Sequence, residues 1–339
     1  MAVTGREVAK KARVTRATVS LALNGAPRIS EKTRNRILKI ARELNYHPNA
    51  SAARLRKQKT MTIGSYISAA QAPVFIQHHT SEMLEAIVEE CIGHEYDMLL
   101  NIWKPGSIVD YSRPFEQGKI DGAIIVYPGR DNRGIQELER KGYHAALING
   151  ISDKLDYVMI ENTVSTGKII DHLVENGRRR IAMLRPAPYS QAGVERFEAY
   201  KSTILKHGLE YDENLVVNIE DYGGDYTDGS MSSNAVKSIL KYKPDAVFGF
   251  CDHIAVGAIA GIRESGLSVP GDIAVAGFDD VPEAVTSNPK LTTIRHPFRT
   301  LGAEAARLLF NRLKDPGMEQ QKVIVPAGLI VRESTINKQ

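Results

Sequence analysis

The sequence predicts a small all-α helix-turn-helix headpiece followed by a two-lobed α/β core with parallel sheets. Three observations lead there. Residues 1–60 hold 15 Lys/Arg against three Glu and no Asp, a net +12, while the remainder holds 29 basic and 37 acidic residues, a net −8. The same basic segment carries short runs of helical apolar periodicity, which a solvated basic tail lacks. From Met61 onward, short apolar runs alternate with amphipathic stretches, the pattern of βαβ units.

In the first segment, Thr4 and Glu7 have capping-box spacing, and Val8, Ala9 and Ala12 share one face, so a helix runs from about Gly5 to Ala12. Thr15 suits the N-cap of a second helix with Val19, Ala22 and Leu23 inward, ended by Asn24-Gly25. Ser30 caps a third, whose Ile37, Ile40, Ala41 and Leu44 close a miniature core. Two short helices around a tight turn, with basic and small polar residues outside, match a helix-turn-helix reading the major groove. The local charge agrees, because neutralised phosphates release counterions. Residues 48–60 are rich in helix formers but too poor in apolar surface to fold alone.

In the core, strand-like runs are Thr62–Ile67, Asp97–Ile102, Gly122–Val126, Ala145–Ile148, Arg180–Leu184, Ala246–Phe250 and Ile273–Gly277. A helix over Ser81–His94 places Met83, Leu84, Ile87, Val88, Cys91 and Ile92 on one stripe. Two α/β lobes with a cleft follow, and ligands bind at the carboxyl ends of such strands.

Other classes find little support. No apolar run approaches the roughly 18 residues of a membrane span, and the first residues have no signal-peptide apolar region, so a cytoplasmic protein with no membrane contact is expected. Two cysteines, Cys91 and Cys251, make neither a disulfide framework nor a zinc site. Adjacent His78 and His79 share no helix face and are expected in solvent. A dinucleotide Gly-x-Gly-x-x-Gly, a complete P-loop and a Gly-x-Ser-x-Gly elbow are all missing, so an enzyme is disfavoured and no cofactor or metal is expected. A secreted solute-binding protein would have no use for a +12 headpiece.

The segments Arg6–Ala12, Val14–Ser20, Asn24-Gly25, Ile29–Arg34 and Leu44-Asn-Tyr-His-Pro-Asn49 resemble the LacI/GalR headpiece throughout; Arg13 departs from it, standing where that family usually has glycine. The resemblance implies base contacts from Arg16, Ala17 and Leu21. Arginine can fork onto guanine, while Ala17 and Leu21 can only touch a thymine methyl; for Leu21 a place in the mini-core is the alternative. It also implies phosphate contacts from Thr4, Thr15, Ser20, Asn24, Ser30 and Thr33, with Arg28 reaching phosphate or base. Residues 48–60 then resemble the family's hinge helix, with Leu55 as a minor-groove wedge. A flexible basic linker is the other reading.

The core resembles the family's type I periplasmic-binding-protein-like sensor through His172–Ile181, Ser265–Ile273, Gly277-Phe-Asp-Asp280, Pro289–Ile294 and Gly302. The implied division is a headpiece at 1–47, a hinge at 48–60 and a core at 61–335. Within the core, the N-lobe takes about 61–161 and 292–324, and the C-lobe about 162–291 and 325–335. Effector contacts are implied for Asn149, Arg196, Asp252 and Asp279, with Phe75 or Tyr222 packing a sugar face and Glu161, Gln191 and His296 in support. A helix cap is the alternative for Asp279 or Asp252, and for Asp252 it is equally favoured. Val126 and Cys251 replace positions that are often polar, Glu161 replaces Asp, and the stretch 69–79 looks long, which weakens the placing of Phe75.

The expected protein is a homodimeric repressor on a pseudo-palindromic double-stranded operator, controlled by a small molecule for which a sugar is favoured. The alternative is a regulator that needs a nucleobase corepressor or a protein co-regulator. The C-terminal residues are too short and polar for a tetramerising heptad.

Overall fold

The computed structural model describes residues 3–23, 26, 28–46, 59–68, 78–103, 109–128, 133–186, 191–224, 226 and 228–336. The chain divides into two units, Met1–Thr60 and Met61–Gln339.

The first unit contains α1 (Gly5–Ala12), α2 (Arg16–Leu23) and α3 (Glu31–Glu43). At the start of α1 the Thr4 backbone N–H and hydroxyl both donate to Glu7, at 2.6 and 3.1 Å. The Thr15 hydroxyl accepts from Thr18 N–H at 3.1 Å, and Ser30 Oγ accepts from Thr33 N–H at 3.4 Å, so each helix start has a polar cap. Val8, Ala9, Ala12, Val19, Ala22, Ile37 and Ala41 are buried together, with Leu23, Ile40, Leu44 and Tyr46 packed around them. Gly5 lies beneath Tyr46: a Cβ there would meet the Tyr46 hydroxyl at 2.9 Å.

Arg13 ends α1 in the left-handed conformation, with φ 52°. That explains why glycine suits this turn, since a side chain there costs roughly 1–2 kcal/mol. Arg13→Gly is expected to stabilise the headpiece by about 1 kcal/mol. Amide exchange of α1 in the full chain should slow by about fivefold; an unchanged rate would show that the arginine side chain offsets the backbone cost.

The second unit holds β1 (Thr62–Ser68), α4 (His78–Gly93), β2 (Asp97–Trp103), α5 (Arg113–Glu116), β3 (Gly122–Val126), α6 (Arg133–Lys141), β4 (Ala145–Ile148) and β5 (Asp156–Ile160). Then come α7 (Asn162–Glu175), β6 (Ile181–Arg185), α8 (Gln191–Lys206), β7 (Val216–Asn218), α9 (Ser230–Ile239), β8 (Ala246–Gly249), α10 (Asp252–Glu264), β9 (Ala274–Ala276) and α11 (Pro282–Thr286). The last elements are β10 (Thr293–Arg295), α12 (Phe298–Lys314), β11 (Lys322–Val325) and β12 (Gly328–Ile330).

Two parallel sheets result, in the orders β11-β5-β4-β3-β1-β2 and β7-β6-β8-β9. β3 and β4 are buried at every position, as strands covered on both faces must be. A short antiparallel ribbon, β10 with β12, forms a third sheet. The chain passes from one sheet to the other between β5 and α7, through β10, and between β11 and β12.

Ile63, Ile67, Met83, Ile87, Ile124, Leu301 and Leu309 centre the first lobe, whose helices α4 and α12 pack closely. A Cβ on Gly302 would sit 2.4 Å from the Met83 carbonyl oxygen, so the contact requires glycine. Leu184, Val236, Val247, Ile254 and Ile262 belong to the core of the second lobe. Ile92, expected on the inner stripe of α4, is instead 70% exposed. It follows Met83 by nine residues, half a turn out of phase at about 100° per residue.

Candidate functional site

Arg196 interrupts the apolar stripe of α8, between Ala192 and Ala199, and is only 4% exposed. A buried charge needs partners. Its Nε donates to Asn162 Oδ1 at 2.9 Å and its Nη1 to the Phe250 carbonyl at 2.7 Å. Its guanidinium carbon stands 3.5 Å from the Phe278 ring centre and 4.5 Å from that of Phe250. Asn162 Nδ2 donates to Glu195 at 2.8 Å, and Gln191 Nε2 reaches the same carboxylate at 3.0 Å. Gln191 therefore acts behind the guanidinium, through Glu195 and Asn162. Glu161, one residue before Asn162, is half-buried, and its backbone N–H is tied to Val325 O at 3.1 Å.

Asp279 comes from the loop after β9. Its N–H donates to Ile294 O at 2.9 Å and its carbonyl accepts from His296 N–H at 3.1 Å, which fastens it alongside β10. Its φ is 132°, a region L-residues rarely enter and one that costs on the order of 1–3 kcal/mol. Burial raises its carboxyl well above the ordinary range, against the opposing pull of Arg196. The cleft thus sets a cation and a polarised carboxyl close together.

From the first lobe, Asn149 enters at φ 53° and is 4% exposed, its Oδ1 accepting from Ile160 N–H at 3.2 Å. Asn149 also hydrogen-bonds the Tyr127 hydroxyl, which lies in the fields of Asp279 and Arg196. The expected cleft position Val126 is wholly buried; Tyr127, with φ 51°, turns into the cleft instead. His296 is 4% exposed and stacks on Phe298 at 3.9 Å. Burial and Arg196 hold its imidazole neutral, and its Nδ1 has no partner among the described residues.

Several expectations require correction. Asp252 is fully buried, with Oδ1 accepting from the Thr293 hydroxyl at 2.5 Å and Oδ2 from Val281 N–H at 3.0 Å. Both oxygens brace the loop after β9 against β10, so this residue supports the cleft wall from behind. Cys251, not Asp252, is the N-cap of α10. Tyr222 ends a short 3-10 turn, is 36% exposed, and has no ring contact with the cleft residues. Gly223 and Gly224 follow, at φ 62° and 113°, and it is Tyr226 that meets Cys251, its hydroxyl 3.4 Å from Sγ. His79 is not in solvent: its ring packs 6.0 Å from Tyr127 and 5.5 Å from Phe298, and burial lowers it to about 4. His78 is exposed and meets Glu82 at 3.1 Å. Phe75 lies outside the described residues.

The sequence reading missed Tyr127, Asn162, Phe250 and Phe278. Tyr127 and Phe250 directly follow the strands β3 and β8, where the strand-end rule would have found them. Nothing local marks Asn162.

Asp252, raised to about 7 chiefly by burial, makes a prediction on stability. Its folded value lies above the unfolded one, so its contribution is full below about pH 4 and lost as pH rises towards 7. His79 has the opposite sense: its contribution is full above 6.5 and lost as pH falls towards 4. Asp252→Asn, able to accept from Val281 and donate to Thr293, should remove the first trend. Its stability relative to the parent should therefore rise between pH 4 and 7 by on the order of 4 kcal/mol, read by denaturant unfolding. A pH-independent difference would mean that Asp252 does not hold a proton in the fold.

In the first unit, Arg16, Ala17 and Arg28 are exposed, and Ser20 and Leu21 half-buried. Leu21 is not among the residues that close the mini-core. Thr4, Thr15 and Ser30 serve as helix caps, and Ser30 donates to Thr33 at 2.9 Å, so these hydroxyls are pre-set by the fold before any phosphate arrives. Asn24 and Leu55 lie outside the described residues, as do residues 47–58 as a whole.

No helix among the described residues is long and apolar enough to cross a membrane, and no group of three metal-ligating side chains occurs among them. Residues 4–49 match the family model of bacterial regulatory proteins of the lacI family, and residues 170–335 match that of the periplasmic binding protein-like domain. The HTH-type transcriptional regulator CelR of Thermobifida fusca is 30% identical over 334 residues, 96% of each chain. The chain belongs to the LacI family.

Two solved regulators match nearly all of the chain. The complex of the regulator CelR with cellobiose is 29% identical with a TM-score of 0.72, covering 98% of this chain and 99% of that one. The lac repressor dimer bound to operator and the anti-inducer ONPF is 25% identical with a TM-score of 0.86, covering 99% and 100%. As a LacI-family protein, this chain is a sequence-specific DNA-binding transcription regulator and not an enzyme.

Proposed function

We propose that this regulator is a cytoplasmic repressor whose affinity for a pseudo-palindromic operator is set by a sugar bound in the cleft. The observation that carries the reading is a buried Arg196, held against Phe250 and Phe278, in the field of the Asp279 carboxyl. The guanidinium has two of its nitrogens bonded to the protein, which leaves Nη2 as a donor towards the cleft. Asp279 supplies acceptors, Asn149 an amide, and Tyr127 a flat apolar face, the set that vicinal hydroxyls and a pyranose ring require. CelR, whose solved structure holds cellobiose, supports a sugar over a nucleobase.

The protein works as a homodimer, because two-fold symmetry places two recognition helices on half-sites about one turn apart. Effector binding closes the lobes about the three chain crossings, and its differential affinity for open and closed states supplies the coupling. The test is selection of the full-length protein on random duplexes, repeated with a panel of mono- and disaccharides and nucleobases. Enrichment of one pseudo-palindrome that a single sugar abolishes supports the reading. Enrichment only with a nucleobase replaces it with a corepressor mechanism, and no enrichment under any condition overturns it.

A further inference from the structure

The two consecutive acids at the end of the loop after β9 face different surroundings. Asp279 belongs to the cleft; Asp280 does not. The Asp280 side chain is 7% exposed, and each oxygen holds its own arginine: Oδ2 accepts from Arg295 Nε at 2.7 Å and Oδ1 from Arg332 Nη2 at 2.6 Å. Arg295 stands at the β10 crossing, and Arg332 lies on the segment that continues past the crossing between β11 and β12. Arg295 is the last residue of β10, and Arg332 follows β12.

Arg332 is further anchored, its Nη1 donating to Leu291 O at 2.9 Å and its backbone N–H to Thr292 Oγ1 at 2.8 Å. Single bridges, Ala276 to Thr292 and Asp279 to Arg295, lay the loop alongside the β10–β12 ribbon as a third strand. Asp279 and Asp280 both hold left-handed backbone angles, φ 132° and 60°, which neither residue would keep unaided.

We propose that Asp280 is the positioning residue for Asp279, and that its two-arginine clamp is the mechanical link between the effector carboxylate and the crossings about which the lobes close. The clamp rests on the cleft reading given above, and deepens it by assigning how occupancy reaches the hinge. Two charge-assisted bonds converge on a carboxylate shielded from water, where such bonds are strongest. Because Arg295 comes from the β10 crossing and Arg332 from the segment that β12 joins to the β11–β12 crossing, bending at either changes the same pair of bonds. Released from the clamp, the 279–280 backbone relaxes and the Asp279 carboxyl leaves its place near Arg196, Tyr127, Tyr226, Cys251 and Asp252.

The test uses the full-length protein without effector, so it can fail while the cleft still binds a sugar, and succeed if the effector is something else. Two quantities are read in the parent, in Asp280→Asn and in Arg295→Gln. One is amide exchange at residues 279 and 296; the other is the titration of Asp279, followed by carbon NMR of labelled aspartate and assigned through Asp279→Asn. Asp280→Asn is expected to speed exchange at both amides at least tenfold, with β6 and β8 unchanged, and to bring the Asp279 titration down towards that of an ordinary aspartate. Arg295 is 63% exposed, so Arg295→Gln keeps the fold and should give a smaller shift of the same sign. Asp280→Glu should recover part of the parent behaviour, which a purely space-filling role would not allow. Parent-like exchange and titration in Arg295→Gln, together with either the same result or global unfolding in Asp280→Asn, overturns the clamp.

Discussion

Methionine in place of Arg196 is expected to weaken effector binding by roughly 100-fold, about 2.7 kcal/mol, while operator recognition in the absence of effector persists. The side chain fills similar space between Phe250 and Phe278 but supplies no donor. An effector hydroxyl then faces an apolar group, and Asp279 loses its neighbouring cation. Inside the protein, Asn162 Oδ1 and the Phe250 carbonyl are left without the donor they now have, at about 1–3 kcal/mol each. A lower melting temperature should therefore accompany the loss of binding. Calorimetric titration with the sugar found by selection measures the first effect, and operator titration checks that the headpiece is intact. Undiminished sugar affinity would move the effector away from α8 and dismantle the proposed site.

Arg16→Ala acts at the other end of the protein. Arg16 is the first residue of α2, exposed, and beyond the Thr15 cap that sets the direction of the helix. A bidentate contact to guanine is worth about 1–3 kcal/mol, and a symmetric dimer loses it twice, roughly 2–6 kcal/mol in all. Operator affinity should fall at least about 30-fold. Base-specific and phosphate contacts differ in their signature. Loss of a base contact relaxes preference at one position in each half-site, whereas loss of a phosphate contact weakens every sequence alike and lowers the salt dependence. Uniform weakening would make Arg16 an anchor and leave the reading of bases to Ala17, Leu21 and Arg28.

Much of this arrangement was legible from local pattern. The headpiece helices follow from caps and 3.6-residue periodicity, and the long strands β1 to β4, β6 and β8 from apolar runs. The short strands β7, β10 and β12, three residues each, carry no periodicity to read, whereas β9 lies within the apolar run Ile273–Gly277. The β10–β12 ribbon among them lies beside the loop that carries the proposed Asp280 clamp.

At the cleft, residue type was legible but direction was not. Arg196 and Asp279 lie in each other's field and Asn149 joins them through Tyr127, whereas Asp252 turns to Thr293 and Val281, and Tyr226 rather than Tyr222 reaches Cys251. His79 shows the same limit: a histidine beside another histidine reads as polar surface until Tyr127 and Phe298 arrive from distant parts of the chain.

By itself, the sequence determined the basic headpiece and its acidic partner unit, the helical and strand periodicities, and the family motifs, because caps, charge and period act between residues close in the chain. Only the tertiary structure decided which polar side chains face the cleft and which brace it. Those orientations depend on hydrogen bonds and ring contacts between residues such as 79 and 298, 162 and 196, 252 and 293, or 280 and 332, which no local pattern joins.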